Sequence, residues 1–201
     1  MHSKKSPSQT GPTRTDHSAE AARRAVVRLR KAGLWSVGRS LQRHWAAIQR
    51  AAQLHAVDPE LLMGILVLET ANRGLAFRVL ERLVARVNPR YLVRRDCSIG
   101  IAQIRPSTAR SVVDADSQRL VCMLLDDDGS IDVCARLIRR FSQEHHLERL
   151  SIRLRVAAVA RLYTTGKLAP ARHPWIGLYT LLLTYAVSNR LFHSLRGPTP
   201  V

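Results

Sequence analysis

An all-α fold is predicted by three features of the sequence. Ala, Leu, Val and Arg recur throughout, whereas aromatic residues make up only 5% of the chain, and long unbranched side chains and Ala lose little freedom in a helix. Apolar residues recur mainly at helical spacing, and no stretch alternates apolar and polar residues as a half-buried strand does. With 201 residues and 46% hydrophobic content, the chain is long enough to bury one core.

Three segments of the chain differ in composition. Residues 1–18 are rich in Ser, Thr, Pro and Lys and are expected to form a disordered tail. Residues 19–50 form a basic arm that we expect to contain two amphipathic helices, separated at Gly33 and Gly38. Residues 51–195 are predicted to form the folded helical domain.

The positive charge is the strongest global feature. There are 32 Lys and Arg against 15 Asp and Glu, a net charge of +17, and eleven of the basic residues lie in the first fifty positions. Such a surface attracts polyanions such as nucleic acid, anionic lipid or an acidic cell-wall polymer. The arm is therefore either a helix docked on the domain with a solvated Arg face, or a binding element for an anionic cell-wall polymer or membrane surface.

No secretory signal peptide or transmembrane helix is predicted. The N-terminal segment is polar, and the most apolar stretch, residues 175–187, is shorter than the roughly 20 residues that span a bilayer. The compartment stays open, and action on a cell wall would require export by a route other than the general secretory one.

No cofactor or metal site is predicted either. Cys97, Cys122 and Cys134 are too few for a disulfide framework, so we expect three buried thiols, with a Cys122–Cys134 bridge as the alternative. The acidic turn at 126–129 resembles the start of a calcium loop, but Leu137 stands where a bidentate Glu is required. We expect this turn to cap the helix that follows.

One helix start is especially well marked. Asp58-Pro59-Glu60 combines an N-cap acceptor, a Pro at the first helical position and an acid near the positive end of the helix dipole. The helix that follows is apolar on nearly every side, so we expect it at the centre of the fold. Further helices are predicted at 77–87, near Ser107, and at 131–141, 150–163 and 175–192.

Glu69 is the candidate catalytic residue. It follows Ile65 by four positions and Leu62 by seven, so its carboxylate projects from the most apolar stripe of the central helix. Desolvation there would raise the pKa of a carboxyl group, and a carboxyl that holds a proton near neutral pH can protonate a glycosidic oxygen. The alternative is a Glu at a helix end that reaches water or pairs with Arg73.

Motifs later in the sequence resemble those of a known family. Glu69-Thr70, followed by Gly100-Ile101-Ala102-Gln103-Ile104-x-Pro106-x-Thr108-Ala109, resembles the Glu-Ser and Gly-Leu-Met-Gln-Ile-x-Pro-x-Thr-Ala motifs of the lytic transglycosylases, in the lysozyme-like superfamily. Tyr163-Thr164-Thr165-Gly166 is similar to the Tyr-Asn-x-Gly motif of that family. The resemblance covers roughly residues 45–190, and its motifs occur in the order of the family.

The resemblance implies a lysozyme-like helical domain that cleaves the bond between N-acetylmuramic acid and N-acetylglucosamine in peptidoglycan glycan strands. Glu69 would be the acid, the 2-acetamido group of the substrate would assist, and the 6-hydroxyl would close to a 1,6-anhydro product. Tyr163 would orient Glu69 or contact the acetamido group. The other expected substrate-binding residues are Thr70, Ser98, Gly100, Ile101, Gln103 and Thr164.

The sequence departs from the family pattern at several positions, and other functions stay open. Thr70 stands in place of Ser, Ala102 in place of Met, and Thr164 in place of Asn. An inactive peptidoglycan-binding relative is one alternative. A hydrolytic muramidase is another. An inverting one would need a second carboxylate about 6.5–9.5 Å from Glu69, for which Asp96 is the nearest candidate and Asp114 a poorer one.

A nucleic-acid-binding protein is the third alternative. A helix-turn-helix places polar and basic side chains on its recognition helix, whereas residues 61–68 offer none. Binding through phosphates alone would have to come from the basic arm, so no specific nucleic-acid partner is expected.

Overall fold

The computed structural model describes residues 34–72, 75–168 and 174–192. The α-helices of this part are α1 (Leu34–Gln42), α2 (Trp45–Leu54), α3 (Pro59–Asn72), α4 (Leu75–Val87), α5 (Pro89–Arg94), α6 (Pro106–Ala109), α7 (Ser117–Leu125), α8 (Asp127–Glu144), α9 (Ile152–Thr165) and α10 (Pro174–Ser188). A 3-10 turn, Leu147–Arg149, joins α8 to α9. Within these residues the β-pairing is limited to one isolated bridge, between Ile99 and Ile104, so the all-α prediction is confirmed for the described part.

The predicted tail, residues 1–18, and the first part of the predicted arm, residues 19–33, lie outside the described residues. No helix within the described ranges combines the length and apolar character needed to cross a bilayer.

Helix α3 lies at the centre of the fold, as predicted from its apolar sequence. Every residue from Glu60 to Leu68 is buried, and α3 packs against α1, α2, α8 and α10. Its predicted start at Pro59 is confirmed, because Asp58 Oδ1 accepts a hydrogen bond from the Glu60 amide at 2.8 Å. The burial of this helix fixes the position of its C-terminal end, where Glu69 lies.

The N-terminal helices belong to the core. Leu41, Trp45 and Ile48 are buried in it, and the predicted domain boundary at residue 51 falls inside α2. The predicted helix break at Gly38 is wrong, because Gly38 is a buried residue within α1. Packing of α1 against α3 offsets the roughly 1 kcal/mol that a Gly costs a helix.

Two helices, α5 and α7, lie in segments for which no helix was predicted. Asn88 was predicted to end a helix, and its Oδ1 also accepts a hydrogen bond from the Tyr91 amide at 3.1 Å, which begins α5. Asp116 Oδ1 likewise accepts from the amides of Gln118 and Arg119, each at 2.9 Å, which begins α7. A local cap therefore starts each helix, and in α7 the buried Leu120, Val121 and Leu124 lie at helical spacing.

The acidic turn caps α8 and joins it to α2. Asp126 Oδ2 accepts a hydrogen bond from the Gly129 amide at 2.8 Å, so α8 begins four residues earlier than the predicted start at 131. Asp128 pairs with Arg50 at 3.1 Å, and Asp132 contacts His55 Nε2 at 2.6 Å. These acids thus hold α2 against α8.

Candidate active site

A cleft of about 600 Å³ lies beside the C-terminal end of α3. The loop before α6, helix α8, the C-terminal end of α9 and the start of α10 form its other walls. Its polar lining residues from α3, the loop and α6 are Glu69, Asn72, Ser98, Gln103, Arg105 and Thr108. Its apolar and aromatic lining includes Leu137, Phe141, Leu162, Tyr163, Trp175, Ile176 and Tyr179.

Glu69 is the one carboxylate among the described residues that line this cleft. It is half-buried, directly after a run of buried residues that ends at Leu68. The helix therefore carries the carboxylate out of the apolar core and into the cleft wall. A single acid in that position suits proton donation to a bound substrate.

A tight loop forms the wall opposite α3. The backbones of Ile99 and Ile104 pair in both directions, with N–O distances of 2.9 and 3.1 Å. Between them Gly100 and Gln103 both adopt positive φ, at 76° and 53°, a conformation that residues other than Gly seldom adopt. Gln103 Nε2 donates to the Gly100 carbonyl at 2.6 Å, so this side chain braces the loop as well as lining the cleft.

Two backbone amides of the loop donate hydrogen bonds to buried side chains. The Gly100 amide donates to Oε1 of buried Glu81 at 2.8 Å. The Ala102 amide donates to Oγ of buried Ser130 at 3.3 Å. Both acceptors are side chains distant in sequence, so the loop conformation depends on the packing of α4 and α8.

The backbone carbonyls of the loop bind two predicted site residues. Thr70 Oγ1 donates to the Ile101 carbonyl at 3.4 Å, and the Tyr163 hydroxyl donates to the Ala102 carbonyl at 2.5 Å. Gly100 and Ile101 are buried and are absent from the cleft lining. Thr70, Gly100 and Ile101 therefore support the cleft wall instead of forming its surface.

Three groups near Glu69 have a raised pKa, and the charge of Glu69 contributes to each shift. The pKa of the Cys134 thiol is raised to about 12, mainly by burial; a hydrogen bond to Tyr163 opposes this rise, and the charge of Glu69 adds to it. Burial also raises the pKa of Tyr163, to which the charges of Cys134 and Glu69 add. For Tyr179 burial is again the largest cause, followed by the charge of Glu69 and a side-chain hydrogen bond to it.

The contact between Tyr179 and Glu69 is a loose one. By distance and angle the Tyr179 hydroxyl has no hydrogen-bond partner among the described residues, whereas its raised pKa reflects a hydrogen bond to Glu69. The Tyr179 hydroxyl therefore interacts with the Glu69 carboxylate mainly through charge. Both tyrosine hydroxyls stay protonated, and Tyr179 faces the candidate acid.

The two tyrosines are expected to differ in their effect on stability. Tyr163→Phe leaves the buried Ala102 carbonyl without its partner, which costs about 1–3 kcal/mol of unfolding free energy. Tyr179→Phe removes a hydroxyl that lacks a well-formed bond and should cost less than about 1 kcal/mol. Urea denaturation of both variants measures the difference, and equal losses would contradict the assigned bond.

The cysteines are expected to differ in reactivity. All three are free; Cys122 is exposed, Cys97 half-buried and Cys134 buried. The prediction of three buried thiols is therefore confirmed only for Cys134, and Cys122 lies on a solvent-facing position of α7. Near pH 8 an ordinary thiol is partly ionised, whereas the pKa of about 12 keeps Cys134 protonated. We predict that iodoacetamide alkylates Cys122 in the native protein and Cys134 only after denaturation, as read by peptide mass spectrometry. Alkylation of both at equal rates in native protein would show that Cys134 is accessible.

Two other predicted residues have partners that limit their roles. Thr164 Oγ1 donates to the Ala160 carbonyl of its own helix at 2.8 Å, so its hydroxyl does not replace the amide that Asn would offer. Asp96 accepts from the amide and the hydroxyl of Ser107, at 2.9 and 2.6 Å. Neither Asp96 nor Asp114 is among the described residues that line the cleft.

Several residues of the site were not predicted, five of which matter most for its shape and polarity. Asn72, Phe141, Trp175 and Tyr179 line the cleft, and Glu81 holds its loop. Their helices were predicted, but helical periodicity does not tell which face of a helix borders a cleft. No family model, no curated protein and no solved structure matches this chain, so the chemistry of the cleft is inferred from its own residues.

Proposed function

We propose that this chain is a peptidoglycan lytic transglycosylase with a lysozyme-like helical domain. One observation carries the proposal. Glu69, Gln103 and the segment from Tyr163 to Gly166, which belong to the three motifs of that family, are far apart in sequence and line the same cleft. Chance similarity of short motifs gives no reason for them to meet around a single carboxylate.

The chemistry requires one group that first gives and then takes a proton. Glu69 protonates the glycosidic oxygen as the bond to the anomeric carbon of N-acetylmuramic acid breaks, and the acetamido oxygen of the same sugar bonds to that carbon. The Glu69 carboxylate then accepts the proton of the 6-hydroxyl as its oxygen displaces the acetamido group. The product is the 1,6-anhydro sugar, and no second carboxylate or water molecule takes part.

The remaining lining suits a glycan strand. Phe141 and Trp175 offer aromatic surface for the apolar faces of sugar rings, and Asn72, Ser98 and Gln103 offer polar groups for hydroxyls and acetamido groups. Arg105 adds a positive charge at the cleft, which favours the carboxylates of the peptide stems of peptidoglycan. The net charge of +17 favours the same anionic polymer at longer range.

Release of soluble fragments from purified peptidoglycan tests this proposal. Wild type should release them, and Glu69→Gln should not. Glu144→Gln is the matched control, because Glu144 is an exposed acid on α8 that pairs with Arg140 away from the cleft lining. Release by Glu69→Gln at the wild-type rate, or no release by folded wild type, would contradict the proposal; binding without release would indicate the inactive peptidoglycan-binding alternative.

A further inference from the structure

Helix α4 has the reverse of the usual orientation for an amphipathic helix. Val79, Leu80, Leu83 and Val87 are 59%, 54%, 52% and 86% exposed, whereas Glu81 is only 7% exposed. The three residues Val79, Leu83 and Val87 are spaced four apart and Leu80 adjoins them, so the four form one aliphatic stripe. A surface helix normally turns such a stripe to the core.

Arginines border the aliphatic stripe. Arg82 and Arg86, one turn apart on α4, are exposed beside it, and Arg90 and Arg94 are exposed on the adjoining α5. None of these four forms an ion pair within the described part of the chain. The acid of α4, Glu81, is buried and accepts the Gly100 amide. The outer surface of α4 therefore offers aliphatic side chains and positive charge together.

We propose that α4, through its aliphatic stripe and its arginines, docks the protein on an anionic lipid surface. An interfacial helix inserts aliphatic side chains among acyl chains while its cationic side chains bind lipid phosphates. An anionic cell-wall polymer would pair with the arginines but would leave the aliphatic stripe exposed to water. A second copy would bring like charges together, and four aliphatic side chains fall well short of the ~800 Å² per partner of a stable interface.

Docking through α4 would also orient the cleft. Glu81, on the face opposite the aliphatic stripe, holds the Gly100 amide of the cleft loop. The membrane-facing helix and the cleft wall are thus joined through one buried side chain. This proposal does not depend on the glycosidase proposal, because lipid docking can be measured without peptidoglycan.

Vesicle flotation with the full chain tests the proposal. Wild type should bind vesicles of phosphatidylcholine with phosphatidylglycerol and bind pure phosphatidylcholine weakly. Leu80→Ala with Leu83→Ala keeps helix propensity and should lower the affinity for the anionic vesicles by about tenfold or more. The matched control is Leu150→Ala with Leu154→Ala, exposed leucines elsewhere on the surface, which should change the affinity by less than about twofold.

The arginines are tested in the same assay. Arg82→Gln with Arg86→Gln should weaken binding to anionic vesicles about tenfold, and Arg149→Gln with Arg153→Gln, an equal loss of charge elsewhere, should weaken it less. Any attraction that the basic N-terminal arm contributes is equal in all variants. Equal binding by the α4 variants and their controls would overturn the proposal. The proposal would also be overturned if wild type self-associates in sedimentation velocity without lipid and the leucine variant does not.

Discussion

Glu69→Gln is expected to lower the rate of peptidoglycan cleavage by about 10²–10⁴-fold, the usual contribution of a general acid. Gln has nearly the shape of Glu but has no proton of suitable acidity to give to the glycosidic oxygen. Since Glu69 is the one carboxylate among the described lining residues, no neighbour in that set can take over its role. The release rate of soluble muropeptides, with Glu144→Gln as control, measures the effect.

The same substitution should leave the fold intact. Glu69 is half-buried at the end of an apolar helix, and an acid kept there for chemistry commonly lowers stability. We therefore expect the Tm of Glu69→Gln to equal or exceed that of wild type. A large fall in Tm would assign Glu69 a structural role. A loss of cleavage would then not identify Glu69 as the catalytic acid.

Gly100→Ala should be the most destabilising small substitution in the cleft. Gly100 has a φ of 76°, and an added Cβ would lie 1.8 Å from the Leu124 carbonyl oxygen and 2.8 Å from Ser130 Oγ. Positive φ alone costs an Ala about 1–2 kcal/mol. The clash with backbone brings the expected loss of unfolding free energy to more than about 3 kcal/mol, a value that single substitutions seldom exceed.

Gly166→Ala separates the cost of positive φ from the cost of the steric clash. Gly166 also has positive φ, at 70°, but nothing lies within 4 Å of the Cβ that would be added. Its cost should be only the backbone strain, about 1–2 kcal/mol. Chemical denaturation of both variants compares them directly. Equal losses at the two glycines would mean that the loop yields readily and that its tight contact with α7 is unimportant.

The predictable parts of the fold depend on local signals. Asp58 and Pro59 begin α3 because a cap acts within a few residues, and the apolar run that follows can only be central. The caps of α5 and α7 are equally local, but these helices have only six and nine residues, and neither was predicted. The outward stripe of α4 could not be predicted, because periodicity gives the apolar face and tertiary packing decides where that face points.

The candidate site divides in the same way. Glu69, Ser98, Gln103 and Tyr163 were predicted from short motifs, and all of them line the cleft. The residues that hold the cleft loop from behind, Glu81 and Ser130, are linked to it only through the fold. Their contacts span 19 and 28 positions of sequence, and nothing in the local pattern distinguishes them from other polar residues on helices.

The products of peptidoglycan digestion test the central claim most directly. Wild-type protein should release muropeptides that end in 1,6-anhydro-N-acetylmuramic acid, identified by mass spectrometry, and digestion in water labelled with heavy oxygen should add no label to the new sugar end. That result follows if Glu69 acts alone and the 6-hydroxyl attacks. Reducing ends that carry the label would contradict it, since water would then be the nucleophile in place of the 6-hydroxyl.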